Sequence, residues 1–185
     1  MAEQKNHPEL TVMPIILAED GIPDSIKLES INQNLPISLE IDKVSPKIVL
    51  ATLNARFFHT SFGLRYLYAN LKELQQYSEI KEFIIQTRAI DIVEQILASK
   101  PDIVGFGVYI WNIVETTDVV SLLKVIAPEI KIVLGGPEVS YETEQQAIVG
   151  SADYVLTGPA DLSFYQLCKN LLNNTLPDKK ILKSM

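Results

Sequence analysis

From residue 47 onward, short continuous apolar runs alternate with stretches whose apolar residues recur at three- and four-residue spacing. That is the pattern of buried strands interleaved with amphipathic helices. Lys47 to Leu53 reads as a buried strand, and Leu64, Leu67, Tyr68, Leu71 and Leu74 set out the stripe of a first helix. Glu82 to Gln86 is a second strand, followed by a helix marked by Ile92, Val93, Ile96 and Leu97. The third strand lies in residues 102–112, Asp-Ile-Val-Gly-Phe-Gly-Val-Tyr-Ile-Trp-Asn. Its apolar run is too continuous for a strand with one wet face, so it is expected mid-sheet and covered on both sides. Gly105 and Gly107 are poor strand residues and mark a point where a helix, another backbone or a ligand comes close. Asn112, with Glu115 three residues on, predicts a capping box for the next helix.

The rhythm continues to residue 172. Val119, Leu122, Leu123 and Ile126 give a third helix, Lys131 to Leu134 a fourth strand, Thr143 to Val149 a short helix, Tyr154 to Leu156 a fifth strand, and Asp161 to Leu172 a last helix. Five strands alternating with helices predict an α/β fold: a doubly wound, five-stranded parallel sheet, because right-handed crossovers of this length leave little alternative. The expected strand order is 2-1-3-4-5, with the switch point between the first and third strands. Residues 47–175 form the domain and 176–185 a C-terminal tail. Residues 1–46, with five prolines (Pro8, Pro14, Pro23, Pro36, Pro46) and no sustained period, form an N-terminal extension.

Open α/β sheets bind ligands outside the carboxyl ends of their strands. If this one binds anything, unusual residues should cluster there, and they do. After the first strand stand Asn54, Arg56, His59, Ser61 and Gly63; after the third, Tyr109 and Trp111; after the fourth, Gly135, Gly136, Pro137 and Glu138; after the fifth, Thr157 and Gly158. Each has a plainer reading. The Gly-Pro pairs are also ordinary strand-ending turns, His59 a loop histidine bonded to backbone, Arg56 an exposed charge, Glu138 a cap, and the two rings core or lid residues. Taken together on one edge, with glycines that let a bound group approach the backbone, they predict an apolar, neutral pocket.

Composition narrows the classes. The chain has 185 residues, 47% of them hydrophobic, and a net charge of -7, without a basic cluster; this argues against nucleic acid. No apolar run approaches the ~20 residues of a membrane span and no secretion signal opens the chain, so the default is a cytoplasmic protein without a membrane role. Cys168 is the single cysteine, which excludes an intrachain disulfide, a thiolate zinc site and an iron-sulfur cluster ligated by this chain alone. It sits on the apolar stripe Phe164, Leu167, Cys168, Leu171 and reads as a buried, inert thiol. Neither Gly-x-Gly-x-x-Gly nor a Walker-type Gly-Lys-Ser/Thr is present. No carboxylates end the first strand, as a magnesium-binding receiver domain would need.

Three stretches together resemble the cobalamin-binding domain that precedes the catalytic barrel in cobalamin-dependent radical SAM enzymes: Asn54-Ala-Arg-Phe-Phe-His59-Thr-Ser-Phe-Gly63-Leu64-Arg-Tyr66-Leu67, Val104-Gly-Phe-Gly-Val-Tyr109-Ile-Trp111-Asn112, and Leu134-Gly-Gly-Pro-Glu-Val-Ser140. The resemblance spans residues 47 to about 172. It implies a flavodoxin-like domain with a corrinoid held across the carboxyl ends of the strands and its nucleotide tail reaching down beside the sheet. Two features depart from the pattern. The family's Gly-Glu-Gly-Glu after the fifth strand is Gly158-Pro-Ala-Asp161 here, and one cysteine cannot supply the CxxxCxxC cluster site, so a catalytic barrel would have to come from elsewhere in a parent protein or from another chain. The Asp-x-His-x-x-Gly pattern of methionine-synthase-like corrinoid domains is also broken. Phe57 stands at the aspartate position, and glycine follows His59 one residue late. Without a carboxylate to orient its ring, His59 is not expected to ligate cobalt, and cobalamin is expected base-off. The expected function is a cobalamin-binding module that serves a radical SAM methyltransferase or related enzyme and is not itself catalytic. The alternatives are a cofactor-less scaffold of the same fold and a domain for another flat ligand, a tetrapyrrole or flavin.

Overall fold

A computed structural model describes residues 47–55 and 60–184. The extension at 1–46 and the segment 56–59, which contains Arg56 and His59, lie outside the described residues. Six parallel strands form one sheet in the order β2-β1-β3-β4-β5-β6. They are β1 (Ile48–Asn54), β2 (Ser78–Ile84), β3 (Ile103–Gly107), β4 (Lys131–Gly135), β5 (Tyr154–Thr157) and β6 (Ile181–Lys183). The helices are α1 (Phe62–Ala69), α2 (Ala89–Leu97), α3 (Ile113–Ile126), α4 (Ala147–Ser151) and α5 (Asp161–Leu172). The doubly wound fold and the order of the first five strands are as the sequence predicts.

Three boundaries differ. The first helix stops at Ala69, and its last two predicted leucines, Leu71 and Leu74, are buried in and beside a 3-10 turn, Lys72–Tyr77. The apolar spacing ran on because that turn packs on the same core as α1. β2 starts at Ser78, four residues before the expected start. It is an edge strand carrying Glu79, Lys81 and Glu82, and such a charged edge hides its apolar alternation. Finally, the stretch read as a C-terminal tail contributes β6, so the sheet has six strands and not five. Its three residues pair in parallel with β5, Val155 opposite Ile181, and are too few to show a period.

Side chains alternate between the two faces of a strand. One face packs on α2, α3 and α4 through Val49, Ala51, Leu53, Val104, Phe106, Val108, Ile132 and Leu134. The opposite face meets α1 and α5 through Ile48, Leu50, Ile103, Val133, Leu156 and the buried Phe164. On this second face β3 contributes Gly105 and Gly107. The register sets Gly107 beside Gly135 of β4, so three positions in the middle of the sheet lack side chains on one side. No helix among the described residues is long and apolar enough to cross a membrane.

Candidate functional site

The missing side chains leave a groove. It holds a cavity of about 140 Å³ whose floor is Gly105, Gly107, Gly135 and the adjoining strand backbone. Its walls are Leu64 and Leu67 of α1 and Ala160 and Phe164 of α5, and Gly63, Tyr109, Gly136 and Gly158 stand at its carboxyl end. The lining is almost wholly apolar; among the described residues Asp161 is its one charged side chain.

The three floor glycines do different work. A Cβ on Gly105 would lie 2.9 Å from the Phe164 ring, so this glycine admits a helix side chain and not a ligand. A Cβ on Gly107 would make only ordinary contacts, 3.5 Å to Thr52 Oγ1 and 3.7 Å to Leu64. At Gly135 nothing but the Leu156 carbonyl comes within 4 Å, at 3.9 Å. Nearly open space over Gly135 and ordinary contact distances over Gly107, between apolar walls, leave room for a flat group edge-on against backbone.

The carboxyl edge of the groove is built by polar contacts. Asn112 is fully buried, yet it makes no capping bond, contrary to the capping-box expectation. Its Nδ2 donates to the Leu53 and Gly107 carbonyls (2.9 and 3.2 Å), and its Oδ1 accepts from the Tyr109 N–H at 2.8 Å. The ends of β1 and β3 leave buried backbone groups that need partners, and one amide with two donors and an acceptor serves them. Gly136 follows with φ +117, and a Cβ there would sit 2.3 Å from the Val108 carbonyl oxygen. Its lack of a side chain is thus demanded by the turn itself, so a valine would disturb the ligand-free fold. Ser140 ties this turn to the next, its hydroxyl donating to the Gly136 carbonyl (2.8 Å) and accepting from the Gly158 N–H (3.2 Å).

Glu82 closes the other side. One oxygen accepts from the Ser61 N–H at 2.6 Å and the Asn54 amide at 3.4 Å, and the other pairs with Arg65 at 2.9 Å. Burial alone would raise its carboxyl; the hydrogen bonds from Arg65, Ser61 and Asn54 outweigh that and hold it below its ordinary value. Both ends of the loop between β1 and α1 therefore meet one carboxylate. Ser61 also caps α1, its hydroxyl accepting from the Leu64 N–H at 3.4 Å while its own N–H goes to Glu82.

The structure brings Gly63, Tyr109, Gly135, Gly136 and Gly158 to the groove. Trp111 stands outside it, half exposed and stacked on Tyr109 with centroids 4.5 Å apart and planes 9° off parallel. Glu138 faces away, into a second groove with Ile113 and Val114 of α3. Pro137 opens the 3-10 turn Glu138–Ser140, Thr157 bonds to the Leu182 carbonyl at 3.5 Å, and Asn54 is held by Glu82. The candidates read from the sequence do not include Asp161, which lines the groove, or Glu82 and Ser140, which brace its edge, and Gly107 is marked there as a point of close approach but not as a ligand candidate. For Gly107 the signal was present, since it shares one face with Gly105 at a spacing of two. For Glu82 the strand boundary hid it. Cys168 is buried as expected, and burial pushes its thiol up.

The family model described as B12 binding domain matches residues 48–167, well over half of the sequence. The chain belongs to the B12-binding domain family. It is a cobalamin-binding module of flavodoxin-like fold, and the groove is the feature of this domain that its glycines prepare. A cobalamin-binding protein from Desulfitobacterium hafniense is 25% identical, with a TM-score of 0.52 over 69% of this chain and 59% of that one. The methanol:cobalamin methyltransferase complex MtaBC of Methanosarcina barkeri (14% identical, TM-score 0.50, 72% and 50% covered) shares the fold. So does the cobalamin-dependent S-adenosylmethionine radical enzyme OxsB (17%, 0.53, 72% and 19%). The match thus covers about half to three fifths of the first two chains and a fifth of the third. A search of curated proteins found no significant match.

Proposed function

We propose that this B12-binding domain holds cobalamin with the corrin across the carboxyl edge and the nucleotide tail in the groove between α1 and α5, and presents it to a catalytic domain of the radical SAM class. The observation that carries the reading is the groove: backbone floor, apolar walls, and a length of sheet from which side chains have been left out. Exposed Phe62, Ile110, Trp111, Tyr141 and Leu162 lie in the loops and first helical turns that follow the strands, giving the wide apolar edge of a corrin something to rest on. Backbone donors near Gly63 and Gly136 suit its amide arms.

The cofactor is base-off, its lower face not ligated by His59, because Phe57 occupies the place of the carboxylate that would orient that histidine. When bound, the corrinoid supplies the group-transfer chemistry, and the chain binds and orients it. The radical SAM assignment rests on the three quoted motifs; the shared fold with OxsB is compatible with it. Reconstitution with hydroxocobalamin and, in parallel, with flavin mononucleotide tests the reading by absorbance. Retention of the corrinoid alone, with a spectrum unchanged in His59→Ala, is expected. Retention of flavin alone, or of neither, overturns it, and loss of a histidine-ligated spectrum in the variant overturns the base-off assignment.

A further inference from the structure

Among the described residues, one side chain crosses the mouth of the groove. Tyr109 leaves the end of β3, and a Cβ placed on Gly107 would lie 3.6 Å from its ring atom Cε2. One placed on Gly63, in the first turn of α1, would lie 3.3 Å from its hydroxyl oxygen. The ring therefore spans from β3 to α1 above the hollow. Of the described residues at the carboxyl end of the groove (Gly63, Tyr109, Gly136 and Gly158), Tyr109 alone carries a side chain.

The backbone and side chain of Tyr109 are held very differently. The N–H donates to Asn112 Oδ1 at 2.8 Å and the carbonyl accepts from the Asn112 N–H at 3.0 Å, while the Asn112 amide is itself tied to Leu53 and Gly107. Among the described residues these backbone bonds are the ones Tyr109 makes. Its side chain is held by stacking on Trp111, itself half exposed. A fixed pivot with a ring retained by one stack can turn about χ1 without moving the strand.

We propose that Tyr109 is a gate over the tail groove, shut when stacked on Trp111 and swung aside when a nucleotide tail enters. This rests on the tail placement proposed above and adds a kinetic selection: a corrinoid with a tail must open the gate, whereas one without a tail need not. Gly63 matters because a side chain there would wedge against the hydroxyl in the shut position.

The test is stopped-flow absorbance with the full chain and two probes, hydroxocobalamin and cobinamide, which lacks the nucleotide. Tyr109→Ala should speed hydroxocobalamin association about two- to tenfold, the factor set by losing one aromatic stack. It should leave cobinamide association unchanged. Tyr109→Phe, which keeps the ring, should behave as wild type with both. Trp111→Ala, which removes the other half of the stack, should also speed hydroxocobalamin and serves if Tyr109→Ala fails to fold by circular dichroism. Equal hydroxocobalamin rates in wild type and the folded alanine variants remove the gate and leave the proposed function standing. Equal acceleration of cobinamide also removes it, since Tyr109 would then obstruct the corrin and not the tail. No binding of either probe by the folded wild type removes the proposed function and the gate together.

Discussion

On the face that meets α2, α3 and α4, β3 and the residue after it present Val104, Phe106 and Val108; on the face that meets α1 and α5, β3 presents Ile103 and then Gly105 and Gly107. β4 repeats the contrast, with Ile132 and Leu134 on the first face against Val133 and Gly135 on the second. The first face is closed by buried apolar side chains, and truncating any of the larger ones would cost stability. The second leaves part of its area to backbone and walls. A sheet wound on both sides can thus fill one face with side chains and keep part of the other open, which on the proposed reading separates folding from binding. The two functions are separable by substitution only where a glycine on the hollow face is not also needed by the fold.

Gly136 is the position where they are not separable, and it gives the largest effect. With φ +117 and the Val108 carbonyl 2.3 Å from a would-be Cβ, Gly136→Val combines backbone strain with overpacking. A loss of about 3 kcal/mol or more in ligand-free stability is expected, read by urea denaturation. A stable apo variant would mean that the turn is softer than its geometry implies and that the contrast between the faces extends to the carboxyl edge.

Glu82 sharpens the comparison on the hollow side, because it holds α1, one wall of the groove, to β2. Glu82→Gln should cost about 1 kcal/mol at neutral pH, the scale of a half-exposed charged hydrogen-bond cluster. The sign with pH follows from the carboxyl being held below its ordinary 4.5 in the folded protein. Folding then favours the ionised form, so the stabilisation is complete above pH 4.5 and is lost as pH falls through the lower, folded value. Wild type and variant should therefore converge in acid. Denaturation midpoints that stay equally far apart down to that range would show that Glu82 acts by packing alone.

Much of this was readable in the chain. The apolar runs of β1, β3, β4 and β5 announced a parallel sheet, and Gly63, Tyr109, Gly135, Gly136 and Gly158, picked out at the strand ends, line one end of the groove. The groove was less legible because it is made by walls from two helices distant in sequence, and nothing in the spacing of Leu64, Leu67 and Phe164 says that they face one another across Gly107. Asn112 shows the limit of local rules. Its position relative to Glu115 predicts a cap, but the Leu53 and Gly107 carbonyls, at the ends of two strands distant in sequence, draw its amide inward instead. β6 escaped because three residues carry no period.

The central claim is that the hollow over Gly107 receives the tail of cobalamin, and Gly107→Val tests it most directly. A valine there meets its neighbours at ordinary distances from its Cβ and suits a strand, so stability should change by less than ~1 kcal/mol. Its methyl groups fill the cradle. Titration calorimetry should show hydroxocobalamin affinity falling at least ~tenfold while cobinamide affinity holds, because only the former brings a tail to the groove. Undiminished hydroxocobalamin affinity in the folded variant would contradict the account, for the tail would then lie somewhere other than between α1 and α5.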